Sequence, residues 1–309
     1  MATFKPFTSG ASHIHAPGVG IACLIAGGFF ITMNDAAIKA ASPGMPVGEI
    51  MFLRAVVQTA LVVLYLLVFR KFGDLRVEHR RGQAVRAAVM VLASFMFVWA
   101  LRLLPLADAT ALLFLAPLMM TAFGPLFLGE KVGWHYWLAV CIGFAGMIVM
   151  LRPTGEGIQW AALLAIGAAT GSALRDTITR HISAGDSTIA TLFYTSVAIL
   201  TVAALALPFG WKTPEPADYA ILGLAGLLQF SAHFLIIEAF RYVQISAVAP
   251  FKYIVLIWAA GAGYLFFGEI PDTFTVLGAL LIIAAGLYVI HHNRLRGRPL
   301  EAEGSLRSH

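Results

Sequence analysis

Runs of about 20 predominantly apolar residues, the length that crosses ~30 Å of hydrocarbon, follow one another almost without interruption from position 17 to position 292. Soluble helices and strands break such runs with a polar face turned to water. Here 60% of the 309 residues are hydrophobic, 12% are charged and the mean hydropathy is +0.84, and a soluble domain carries roughly twice that share of charge. Helices pair all their backbone groups internally and so can be stacked in lipid. The chain is therefore expected to be an all-α polytopic membrane protein. Cys23 and Cys141 both fall inside apolar runs and read as small buried hydrophobes, with neither a disulfide framework nor a cysteine metal site.

Turn residues and charges divide the chain into ten spans: 17–40, 46–70, 82–103, 105–129, 133–152, 157–182, 186–208, 217–241, 244–268 and 272–292. Residues 1–16 form a retained N-terminal segment, since the hydrophobic run after them is long enough to span and shows no clear cleavage site. Residues 293–309 form a charged tail, expected to be disordered. With the N-terminus inside, fourteen Lys and Arg residues, among them Lys5, Arg76, Arg80, Arg86 and Arg294, lie on the inner side, against Arg102, Arg152 and Lys212 outside. Basic loops stay cytoplasmic, so both termini are placed in the cytoplasm of a cell with this protein in its inner membrane. The net charge of +5 is then a topology signal and not a nucleic-acid surface.

The chain also repeats itself. Residues 126–131 read LFLGEK and residues 265–270 read LFFGEI, and the same offset of 139 pairs Ala100 with Ala239, Arg102 with Arg241, Gly129 with Gly268 and Glu130 with Glu269. At an offset of 141, Asp35 and Lys39 align with Asp176 and Arg180. Five spans per half is an odd number, so the halves must insert in opposite orientations. The first repeat is 17–152 and the second 157–292.

The segments from Ala100 to Pro153 and from Glu238 to Arg294, each built around a Gly-Glu ending, resemble the two EamA repeats of the drug/metabolite transporter superfamily. In length and span number the chain is also similar to the bacterial YddG-type amino-acid exporters. The resemblance implies ten transmembrane helices in two inverted five-helix repeats around a central cavity. It further implies a secondary transporter that exports or exchanges amino acids or related small metabolites by alternating access.

Ionisable residues in the hydrocarbon zone cost ~2.5–3.5 kcal/mol each on the insertion scale, so their depths carry information. Asp35 and Lys39, four apart on one helix face, suit an internal ion pair and share a depth with Arg54 and Asp108. Arg175, Asp176 and Arg180 share another depth with Glu238 and Lys252. These two layers read as outer and inner gates whose ion pairs form in one access state and part in the other. The competing reading is of anchors that snorkel to headgroups, favoured for Lys39 and Arg180 near the span ends. Arg54 and Lys252 lie about eight residues inside their spans, some 12 Å deep, and favour the cavity.

Between the layers, Trp99, His233 and Tyr253, with Asn34 and Gln229 as amide contacts and Lys252 as a charge, are candidates for binding a solute with both charge and an apolar part. Against this stands the reading of aromatics as lipid-belt anchors and of His233 as a helix-to-helix hydrogen bond. Pro117 and Pro250 mark helix breaks or kinks. Gly167 and Gly171 suit close packing. Glu130 and Glu269 are expected to cap or tether a neighbouring helix.

The H-x-x-x-x-D spacing of His181 and Asp186, which some acyltransferases use, stands alone in a short turn. Zinc, nucleophile-elbow, P-loop and dinucleotide motifs are absent from the sequence. A transporter is preferred over an intramembrane transferase or a channel. Its partners are a small-molecule substrate and the lipid bilayer, with no enzyme activity, cofactor, metal or nucleic acid, and the sequence leaves the oligomeric state open.

Overall fold

The structure, a computed structural model, describes residues 17–41, 43–70, 72–77, 79–128, 134–151, 160–182, 188–242 and 253–296. Among these the chain forms helices α1 (Pro17–Ala41), α2 (Val47–Phe69), α3 (Arg80–Leu103), α4 (Leu106–Leu113), α5 (Ala116–Leu128) and α6 (Trp134–Leu151), followed by α7 (Trp160–Ile182), α8 (Thr188–Ala206), α9 (Pro216–Tyr242), α10 (Ile254–Phe267) and α11 (Thr273–Arg296), with no strand among the described residues. Six of them are long and apolar enough to cross a bilayer unaided. The α4–α5 region, α10 and α11 are shorter apolar helices.

The fourth span is the one that differs from a single expected helix. Pro117 has no N–H to give to the Leu113 carbonyl. The chain answers with two tighter bonds, Phe114 N–H to Ala111 O and Leu115 N–H to Leu112 O, both 3.1 Å, and resumes α-helix when Met119 N–H reaches Leu115 O at 2.9 Å. α4 and α5 are thus one span broken at Phe114–Leu115, which keeps the total at ten.

The inversion is visible in which helix packs on which. The most extensive interface joins α1 to α9, and exchanging the halves turns it into α7 with α3, one of the two next most extensive. In the same way α2–α9 maps onto α8–α3 and α5–α7 onto α10–α1, while α2–α8, α4–α10 and α6–α11 map onto themselves. The fold is two inverted five-helix repeats, interleaved so that every extensive interface crosses between them.

Small residues let these helices approach. A Cβ on Gly27 of α1 would stand 2.8 Å from the Ile236 side chain of α9, and one on Gly226 of α9 would stand 2.7 Å from the Arg54 carbonyl of α2. At Gly171 of α7 a Cβ would meet Ala93 of α3 at 2.8 Å. Cys141, expected to be buried, is exposed on α6, and Cys23 is half-buried on α1.

The LFFGEI ending has a local cause. Gly268 ends α10 at φ 65°, a left-handed conformation that costs a residue with a Cβ more than it costs glycine. Its N–H donates to Tyr264 O, and the next N–H, that of Glu269, donates back to Gly263 O, both at 3.0 Å. The turn delivers the Glu269 carboxylate to the first turn of α4.

Candidate functional site

At that end of the bundle Lys39 and Glu269 meet. Lys39 Nζ stands 2.6 Å from Glu269 Oε1, with the side chains 13% and 22% exposed. The ammonium also donates to the Leu104 carbonyl and lies 5.4 Å from the Phe267 ring centroid. Glu269 Oε2 accepts from Leu106 N–H, the unpaired first amide of α4, at 2.8 Å. The carboxylate at a helix start and the ammonium in the last turn of α1 each complement a helix dipole. Lys39 is therefore tied across the repeats and does not snorkel. The ion pair of Lys39 is with Glu269 of the other repeat, where span one alone suggests Asp35.

Asp35 and Arg54 are 8% and 5% exposed. Asn34 Nδ2 donates to Asp35 Oδ1 at 2.9 Å, and one Arg54 nitrogen reaches Met51 Sδ at 3.5 Å. Two atoms of this cluster, Asn34 Oδ1 and Arg54 Nε, are buried with no hydrogen-bond partner among the described residues. Leaving a buried polar atom unpaired costs about 1–3 kcal/mol, so such atoms usually await a partner.

Further along α9, His233 Nδ1 lies 2.9 Å from Gln229 O and 3.3 Å from Gln229 Nε2. The carbonyl only accepts and the amide nitrogen only donates, so the tautomer of His233 decides which of the two bonds forms. The charges of Arg54 and of Arg175 on α7 both act on His233, which sets the ring between the two charged layers. In the inner layer Arg175 and Asp176 form a pair at 2.6 Å.

Aromatic rings complete the region. Phe114, at the break of span four, stacks on Tyr253 with centroids 4.9 Å apart and planes at 28°. The Tyr253 hydroxyl occupies space that a side chain at Gly286 of α11 would fill. Trp258 meets Phe29 edge-on at 5.4 Å, and its Nε1 is a third buried atom with no partner among the described residues.

Not every candidate is brought here. Trp99 is 44% exposed and shares a face of α3 with exposed Val85, Leu92 and Leu103, under the Arg102 guanidinium at 5.6 Å. The 3.6-residue period turns that stripe to the outside of α3. Asp108 is half-buried in the first turn of α4. Glu130, Pro250 and Lys252 lie outside the described residues, as do the side chains of Arg180 and Glu238 and the two termini, 1–16 and 297–309. Among the described residues no group of three or more His, Cys, Asp or Glu could hold a metal ion.

Two polar features escaped the sequence reading. Arg86, counted there as a loop cation, is buried in α3, where it donates to Gln83 at 3.2 Å and to Thr195 of α8 at 3.3 Å. Glu49 is buried at the start of α2 and accepts from Lys212 N–H at 3.0 Å. Gln83 three residues before Arg86 on α3, and Thr191 four before Thr195 on α8, are the available hint for Arg86.

A model of the EamA-like transporter family matches residues 18–152 and 159–290. The chain belongs to that family. This EamA-like protein is 28% identical over 236 residues to an S-adenosylmethionine uptake transporter of Rickettsia bellii, covering 76% of this chain and 81% of the relative. It is 31% identical over 246 residues to a riboflavin transporter of Rhizobium johnstonii, covering 78% and 81%. A pseudopaline exporter of Pseudomonas aeruginosa is 28% identical over 272 residues, covering 86% and 94%. One solved crystal structure superimposes with a TM-score of 0.62 at 16% identity, over 89% of this chain and 99% of that one, a likeness of fold. The EamA-like chain is thus a multi-pass membrane transporter whose named relatives each move a small metabolite.

Proposed function

We propose that this EamA-like protein is a secondary transporter for amino acids or closely related zwitterionic metabolites, working by alternating access in the inner membrane with both termini cytoplasmic. The observation that carries the reading is the buried Asn34–Asp35–Arg54 cluster with its unpaired Asn34 Oδ1 and Arg54 Nε. A buried carboxylate on α1 and a buried guanidinium on α2 offer opposite charges to the ammonium and carboxylate of one amino acid, and the guanidinium suits a carboxylate's two oxygens. Phe114, Tyr253 and Trp258 would then face the apolar part of the solute, and His233 with Gln229 would line its inner approach.

The outer gate in this scheme is the Lys39–Glu269–Leu106 tie, which fastens α1 and α4 of the first repeat to the end of α10 in the second. The inner gate would include Arg175 and Asp176. The named relatives support transport of small metabolites, and the paired charges support the narrower class. The test is counterflow of labelled amino acids into preloaded proteoliposomes. Trans-stimulated exchange of free amino acids, abolished by N-acetylation or by esterification of the same compounds, is expected. Equal exchange of the blocked forms would sink the zwitterion reading.

A further inference from the structure

A groove of about 930 Å³ runs between α3, α8 and the 3-10 turn Phe72–Leu75, away from the central cluster. Its walls are small and apolar, with Ala84, Ala88 and Val91 on α3 and Val197, Ala198 and Val202 on α8. Ala84, Ala88 and Val202 are exposed, so the groove opens sideways, toward lipid. At one end stand the exposed side chains of Arg76 and Arg80. The Tyr194 hydroxyl donates to the Leu75 carbonyl at 3.0 Å and so holds the turn that leads into Arg76 against α8.

Length and symmetry both bear on the occupant. From Arg80 to Val91 is eleven residues of helix, ~16 Å at 1.5 Å per residue, or about half of a ~30 Å hydrocarbon core. The equivalent interface of the inverted fold, α9 on α2, closes backbone to backbone at Gly226 and Arg54. On α3 and α8 the helices meet through side chains, Arg86 donating to Thr195 and Gln83 to Thr191, and the groove opens beside that contact. Two cations at headgroup level above an apolar trough one leaflet deep are complementary to a lipid of net negative charge.

We propose that this groove is a binding site for one anionic phospholipid of the leaflet at the N-terminal end of α3. Its phosphate sits on Arg76 and Arg80, and an acyl chain lies along Ala84, Ala88 and Val91. The lipid fills the groove beside the α3–α8 contact and adds to the hold of the first repeat on the second at this edge. The site is separate from the solute cluster and stands whether or not the solute is an amino acid.

The full chain, purified in detergent, is titrated with phosphatidylglycerol, with phosphatidylcholine of the same acyl chains and with inorganic phosphate, and read by native mass spectrometry and thermal unfolding. One phosphatidylglycerol is expected to stay bound and to raise Tm, with phosphatidylcholine and phosphate giving no comparable shift. Arg76→Gln with Arg80→Gln should weaken retention at least roughly tenfold, in keeping with two surface cations. Ala88→Trp, which obstructs the trough and leaves both arginines, should do the same. Equal retention of the two lipids, wild-type retention by both variants, or an equal Tm shift from phosphate alone would overturn the proposal.

Discussion

Phe114 and Tyr253 hold equivalent positions in the two repeats, 139 residues apart, and their rings stack on each other at 4.9 Å. A residue touches its own symmetry counterpart only near the axis that relates them. The stack therefore marks the pseudo-two-fold axis, at the point where span four is broken. If the axis carries the solute, Tyr253→Ala and Phe114→Ala should each raise KM for exchange by roughly 2–10-fold, the worth of one aromatic contact. Tyr253→Phe should stay within about twofold, because it keeps the ring. Counterflow kinetics would decide, and unchanged KM in both alanine variants would reduce the pair to packing.

Gly286 offers a cleaner perturbation of the same stack. A methyl group there collides with the Tyr253 hydroxyl, whereas the ring carbon bearing it is 3.1 Å away. Gly286→Ala should lower transport much as loss of Tyr253 does. Adding Tyr253→Phe, which deletes the colliding oxygen, should restore most of it. Failure of that rescue in a double-mutant cycle would show that Gly286 matters for something other than room for the tyrosine.

Asp35 and Arg54 are both buried inside the bundle. Asp35→Asn leaves the buried Arg54 guanidinium without that opposing charge and should lower Tm. Asp35→Asn combined with Arg54→Gln removes both charges and should recover much of the lost Tm. Transport should remain absent in the double variant, since both recognition groups are gone. A stable double variant that still exchanges amino acids would assign the cluster to folding alone.

Glu269 makes two contacts that substitutions can separate. Glu269→Ala removes the Lys39 ion pair and the acceptor for Leu106 N–H, with an expected loss of about 1–2 kcal/mol from the cap. Glu269→Gln keeps an acceptor and should lose less. Both should open the outer gate, so that a cysteine at position 34, in a background without Cys23 and Cys141, reacts faster with an impermeant thiol reagent added at the face where α1 ends. Unchanged labelling would make the tie a structural clasp only.

Spans, repeats and the Gly-Glu ending were legible in the sequence because each is a local or periodic property. Pro117 likewise announced the break in α4–α5, since the loss of its amide is local chemistry. Partners were not legible. Lys39 has an acid four residues away on its own helix, and although the Gly-Glu ending points to a helix tether at Glu269, nothing in the letters says that Lys39 and the start of α4 are what it ties. Trp99 and Tyr253 look alike as aromatic residues in apolar runs. Which faces lipid and which faces the axis depends on helix rotation, fixed by contacts such as Gly171 on Ala93. Arg86 reads as a loop cation because a basic residue near a span end usually is one, and its bonds to Gln83 and to Thr195 of α8 accompany its burial.

The interleaving of the repeats has a consequence for biogenesis. Once α1 to α6 have been made, none of the extensive interfaces exists, because α1 waits for α9, α2 for α8, α3 for α7 and α6 for α11. At translation rates of about 5–20 residues per second, the second half arrives on the order of ten seconds later. Through that interval the membrane must hold six helices whose best neighbours have not been synthesised. Quality control therefore meets this protein half-built, and a lesion late in the gene exposes surfaces encoded early in it.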